Sequence, residues 1–236
     1  MVPAMSPPPR LSGDQRRVEI LEAVQRQFAE RGFHGTTTRH LAEAAGVSEA
    51  LLFKYFPTKE KLYAEMLQHV CRHCSEEREQ WRQLPASSMT LVLLVHRLVR
   101  RLALGEGVEV SEMRLHNRLM LHSLLSDGDF ARQFLGIVAE STIDALARSL
   151  VAAAEAGDCV APPASSAEAR VRAWMTLHGA VTTMHYRLPA VGVVDYAMPP
   201  ELLAAEMTRF ALRGLGLTDA AIARYYQPEA LAVLDR

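Results

Sequence analysis

The sequence predicts an all-α protein, and three observations carry that prediction. Apolar residues recur at spacings of three and four, as in Ile20, Leu21, Val24 and Phe28. Residues that cap helices precede such stretches, and glycine or proline follows them. Alternating apolar and polar runs, the mark of strands, are nearly absent. With 236 residues, 49% of them hydrophobic, the chain can bury a sizeable core in one large or two unequal domains.

In chain order, the proline-rich start "MVPAMSPPPR" resists helix and reads as a disordered arm over residues 1–13. A first helix runs to a C-cap at Gly32. Thr37 caps a short second helix from about Thr38 to Ala45, and Gly46 interrupts it. A third runs from Ser48 to about Phe56 and stops at Pro57. Thr58 then caps a long fourth helix reaching about Leu84. Ser87 or Ser88 opens the next, over Leu91, Leu94, Val95 and Leu98. Another starts at Ser111 and breaks near Asp127–Gly128. A long segment follows from Asp129 to Ala156. Ser165, with Glu168 three residues on, forms a capping-box pattern for a helix reaching Leu188. Pro199–Pro200 starts a further helix ending in "RGLGL", and Thr218 to Arg236 holds one or two short ones.

Charge bounds the partners. The net charge is −1. Nine Lys/Arg stand against eight Asp/Glu from Arg10 to Val70, so a nucleic-acid site must be a local patch. The three lysines of the chain, Lys54, Lys59 and Lys61, fall within "LLFKYFPTKEKL", among Phe53, Tyr55 and Phe56. No apolar run reaches membrane-spanning length, and the start lacks a signal-peptide core. Three cysteines cannot make a full disulfide framework, so a reducing cytoplasm is expected, with no membrane partner.

Two short helices joined by "AGVS" have the makings of a helix-turn-helix. Ala42 is small where the helices touch, Gly46 supplies the turn, and Leu41, Val47 and Leu52 anchor the second helix. An ordinary helical hairpin fits the same pattern. The flanks add weight. From Phe28 to Leu62, "FAERGFHGTTTRHLAEAAGVSEALLFKYFPTKEKL" closely resembles the signature of TetR-family transcriptional repressors, and the match runs from about Val18 to Leu67.

The resemblance implies a homodimer with a DNA-binding domain over residues 14–58 and a ligand-binding and dimerisation domain over residues 59–236. It places Thr37 and Thr38 at phosphates at the start of the second helix, with Arg39 beside them in the DNA site, and Ser48, Glu49, Ala50 and Leu51 on the exposed start of the recognition helix. Lys54, Tyr55 and Lys59 complete the implied DNA site. Lysines suit phosphates as point partners, and the N-terminus of the fourth helix adds amide donors beside Lys59 and Lys61. The sequence departs from the family pattern at Phe53, which lacks a tyrosine hydroxyl, and at Glu49, which repels phosphate but can accept from a cytosine amino group. It departs again at His40, which replaces the acidic residue of a capping box with Thr37. Arg10, Arg16 and Arg17 are candidates for an arm reaching a groove.

The implied action is repression of a near-palindromic operator whose half-sites lie about 34–36 Å apart, relieved by a small effector. Candidate pocket residues are Met113, His116, Met120, Phe130, Phe134, Trp174, His178 and His185, whose composition suits a hydrophobic or aromatic molecule. Each fits core packing equally well. The last two long helices resemble the family's dimerising pair, with Gly179, Ala180, Ala204, Ala205 and Ala211 small enough for close approach. Cys71 and Cys74 in "HVCRHC" raise an alternative, a metal or thiol sensor, but supply two ligands where zinc wants four. A second alternative is a helical dimer acting by protein contact without specific DNA binding. No phosphate loop, nucleophile elbow or zinc-protease helix is found, so no enzyme, metal or cofactor is expected.

Overall fold

The structure, a computed structural model, describes the backbone of residues 12–105, 110–189 and 191–233, and the side chains of 12–70, 83–105, 114–189 and 191–231. The described residues are helical, without a strand. Their order is α1 (Gly13–Gly35), α2 (Thr38–Ala44), α3 (Glu49–Tyr55), α4 (Lys59–Arg82), α5 (Ser88–Val99), α6 (Val110–Leu124), α7 (Asp129–Phe134), α8 (Glu140–Glu155), α9 (Ser166–Tyr186), α10 (Pro200–Leu215), α11 (Asp219–Tyr225) and α12 (Pro228–Val233). No helix among the described residues is long and apolar enough to cross a membrane.

The chain forms two compact units, Met1–Cys71 with Arg118–Ala131, and Arg72–Asn117 with Arg132–Arg236. These differ from the domains read from the sequence. The first three turns of α4 bury Leu62, Met66 and Leu67 in the first unit, and Leu119 and Phe130 are buried there too. α1 adds Ile20, Leu21, Val24 and Phe28, at spacings that put them on one face.

Regular helical backbone is interrupted at Gly32, where the sequence placed the end of the first helix. Gly32 takes φ 67° and kinks the helix, which continues to Gly35. Buried Thr36 donates its hydroxyl to the Gly32 carbonyl at 2.7 Å, holding the kink closed. A side chain at Gly32 would meet His122 Nδ1 at 3.0 Å. Both the backbone and the space therefore require glycine.

The second unit is a bundle in which α5, α8, α9 and α10 share one core. Leu91, Leu94, Val95, Ile143, Leu146, Leu150, Ala173 and Leu212 are buried in it. The segment read as one helix from Asp129 to Ala156 is divided by a π-helical turn, Leu135–Ala139, and a second such turn, Arg100–Leu104, follows α5. Gly136 lies in the former, with no side chain to hold the α register. Arg172 ties the loops together by donating to the carbonyls of Ala161 at 2.6 Å and Leu215 at 3.0 Å. Thr218 and Asp158 close the same clasp through an amide-to-carbonyl bond of 2.8 Å. Ala180 and Ala204 are buried within the chain, so their small size serves packing inside one subunit.

Gly32→Ala is expected to destabilise the first unit by about 1–3 kcal/mol through strain at positive φ and the His122 approach. A thermal melt followed by circular dichroism would show it, and an unchanged midpoint would remove this account of the kink.

Candidate nucleic-acid interface

α2 and α3 are seven residues each, too short to persist alone, so their geometry comes from caps and burial. Gly46, at φ 63°, ends α2 with its amide bonded to the Glu43 carbonyl, and the Val47 amide reaches back to Ala42 at 3.0 Å. This Schellman arrangement turns the chain sharply. Leu41, Ala42 and Leu52 are buried where the two helices meet, as the sequence suggested. Ser48 caps α3, its hydroxyl accepting from the Leu51 amide at 3.1 Å. The opposite face of α3 is open. Ser48, Glu49, Ala50, Phe53 and Lys54 are exposed, while Leu51 and Tyr55 are half-buried.

His40 completes the capping box that the sequence reading denied it. Its Nδ1 accepts from the Thr37 amide at 3.3 Å, and the Thr37 hydroxyl accepts from the His40 amide at 3.3 Å. A neutral imidazole offers an acceptor just as a carboxylate does, which is why the substitution keeps the motif. Thr38, expected at phosphate, donates its hydroxyl to Glu49 Oε2 at 2.7 Å. Arg39, a residue of the implied DNA site, is paired with Glu43 one turn on at 2.8 Å on the exposed face of α2. Glu43 holds the Arg39 pKa above its ordinary value.

Lys59 is seated rather than free. Its ammonium lies 4.3 Å from the centre of the Phe33 ring. Partial burial lowers its pKa from the ordinary lysine value, with Glu60 pulling the other way. Phe33 packs in turn on Tyr63 at 5.1 Å, and Tyr63 on Phe28 at 4.8 Å. Burial, reinforced by Asp127 and Asp129, pushes the Tyr63 hydroxyl up to about 12. The Thr58 hydroxyl accepts from the Lys61 amide at 3.1 Å, capping the start of α4.

Arg17 is no arm residue. Its guanidinium stacks 4.5 Å from the Phe56 ring, pairs with Glu65, and donates to the Tyr55 carbonyl at 3.0 Å. It thereby fixes the last turn of α3 to α4. Arg16 pairs with Glu19 at 3.1 Å on the surface of α1. Arg10 lies outside the described residues. Neither Phe33 beneath Lys59 nor Arg17 beneath Phe56 was found by sequence reasoning, because both contacts join residues distant along the chain.

Two pairs of the candidate effector residues meet within the second unit. His116 and Phe134 approach at 6.3 Å between ring centres, and Trp174 and His178 at 5.7 Å. Met120 and the buried Phe130 belong to the first unit, and the others with described side chains to the second. Met113, Cys71 and Cys74 lie outside the described side chains. His185 Nε2 is buried without a hydrogen-bond partner, and burial lowers the pKa of that imidazole. An open groove of about 610 Å³ in the second unit runs along Ala147, Val151 and Ala169, between Arg148 and Arg170, and none of the candidates lines it.

Residues 20–66 match the family model described as bacterial regulatory proteins, tetR family. The transcriptional repressor KstR2 of Rhodococcus jostii is 42% identical over 66 residues, 27% of this chain and 32% of the relative. Such matches span a quarter to a third of the length of the curated relatives. In fold, a tetR-family regulatory protein from Rhodococcus RHA1 superposes with TM-score 0.60 at 19% identity, over 89% of this chain and 100% of its own. The regulator FadR of Bacillus subtilis, in complex with stearoyl-CoA, superposes with TM-score 0.58 at 18% identity, over 84% of this chain and 98% of its own. The residues matched by the family model are those folded here as the head around Gly46, so residues 20–66 carry the tetR-family pattern, and a likeness of fold extends over 89% of the chain.

Proposed function

We propose that the protein is a dimeric repressor that grips an operator through α3 and the start of α4 and releases it when a small hydrophobic molecule binds the second unit. The observation that carries this reading is the exposed face of α3 with seated Lys59 beside it. Leu52 and Phe56 hold α3 from below, each at 1% exposure, while Ser48, Glu49, Ala50 and Lys54 stand free on its outer side. A helix fixed on one face and polar on the other is suited to a major groove. Lys59, Lys61 and the Tyr55 hydroxyl are offered to flanking phosphates. Phosphate contacts set register and base contacts set sequence.

Dimerisation is supported by an apolar face on the last two long helices. Val171, Met175 and Tyr186 on α9 share one side and are 55%, 59% and 42% exposed, while Leu202 and Phe210 on α10 are 57% and 80% exposed. Large apolar side chains so grouped mark an interaction surface.

The effector reading rests on His116, Phe134, Trp174, His178 and His185, and on the stearoyl-CoA held by the fold neighbour FadR. An acyl thioester joins a long apolar chain to a polar head, which suits aromatic and histidine side chains together. For release, the effector must bind the DNA-free arrangement more tightly than the DNA-bound one.

Three outcomes are expected. Lys59→Ala weakens binding to every DNA sequence alike and lowers the salt slope by about one, measured by fluorescence anisotropy across a salt series. Unchanged affinity would remove the phosphate role. Phe210→Glu turns a dimer into a monomer in sedimentation equilibrium at micromolar concentration, and a dimer that persists would place the interface elsewhere. Among acyl-CoA probes of graded chain length, at least one raises the melting temperature and dissociates the operator complex. A flat response across the series would exclude this effector class.

A further inference from the structure

The recognition helix opens on a carboxylate, and the structure gives that carboxylate one defined neighbour. Thr38 donates to Glu49 Oε2 at 2.7 Å, joining the first residue of α2 to the first residue of α3. The nearby cation Arg39 is bonded to Glu43 at 2.8 Å instead, and Glu49 forms no ion pair among the described residues. Glu49 is exposed on the same open face as Ser48 and Ala50. Its side chain is thus held by one oxygen, and the other accepts no hydrogen bond among the described residues.

We propose that Glu49 is a specificity-determining residue that accepts a cytosine amino group in each operator half-site, with Thr38 as its positioning residue. This rests on the DNA-binding reading above. An ionised carboxylate only accepts hydrogen bonds. In the major groove cytosine offers a single amino donor, guanine two acceptors, and thymine an acceptor with a methyl group. Adenine offers an amino group, but beside the N7 acceptor. Guanine and thymine therefore repel Glu49, adenine suits it partly, and cytosine suits it best. A phosphate is excluded by like charge. The bond from Thr38 limits the rotamers of a long side chain, so less order is lost when the base pairs with it. It also directs the Thr38 hydroxyl proton to Glu49 rather than to phosphate.

The test is selection of bound duplexes from a random library, run in parallel with the full-length wild type, Glu49→Ala, Glu49→Gln and Thr38→Val. Wild type is expected to select a two-fold symmetric motif with one cytosine position per half-site, preferred about tenfold or more over guanine. That preference disappears in Glu49→Ala and moves toward adenine in Glu49→Gln, because an amide side chain pairs with adenine N6 and N7. Thr38→Val keeps the motif but flattens that one position. A symmetric motif unchanged at every position in Glu49→Ala would overturn the assignment of Glu49 and leave the DNA-binding reading intact. A wild type that selects no symmetric motif would overturn both.

Discussion

Everything proposed for the surface of α3 depends on two short helices being held from beneath. Seven residues cannot sustain a helix in water, since nucleation costs more than so few hydrogen bonds return. α3 keeps its shape because Leu52 and Phe56 are buried, each burial worth about 1.5–3 kcal/mol, and because Arg17 closes the Tyr55 carbonyl from outside the helix. The same guanidinium covers the Phe56 ring and pairs with Glu65 on α4. One side chain of α1 thus joins the end of the recognition helix to the start of the next. Beyond the Ser48 cap, the exposed face is then not needed to hold the helix.

Lys59 follows the same logic. A free lysine side chain must lose much rotamer freedom when it meets a phosphate. Resting over Phe33, with that ring braced by Tyr63 and Phe28, the ammonium has already lost part of that freedom. Partial burial makes it slightly less content as a solvated cation, which favours exchange of water for an anion. The aromatic residues around the lysines are therefore of two kinds. Phe33, Phe56 and Tyr63 are supports, while Phe53 is exposed and Tyr55 half-buried on the outer side of α3.

What was legible in the sequence was local. The caps Thr37, Ser48, Thr58, Ser87, Ser165 and Thr218 act over three residues, so their pattern is visible without a fold. The small residue Ala42 and the turn at Gly46 were readable for the same reason. Contacts that cross the chain were not. Arg17 meets Glu65 over 48 positions, and nothing in either neighbourhood announces the pairing. His40 was taken as a departure from the capping box because it is not acidic, whereas its Nδ1 supplies the acceptor that the box needs. The π-helical turn after α7 leaves no mark in apolar spacing, since the buried residues on either side still recur every three or four. The candidate pocket was less legible for a related reason. Trp174, His178 and His185 share a helical face, but the partners needed to enclose a ligand come from other helices, and helical spacing does not specify them.

The confinement of lysine to one octapeptide has a practical consequence. Apart from the α-amino group, the primary amines of the protein lie at Lys54, Lys59 and Lys61. The second unit carries its positive charge entirely on arginine, which amine-directed reagents do not touch. Acylation or reductive methylation therefore reads this protein at a single place, and an added acetyl group there removes charge from the head without altering the bundle. Labelling the amines, rather than tagging the chain, gives a built-in reporter of whether that surface is covered.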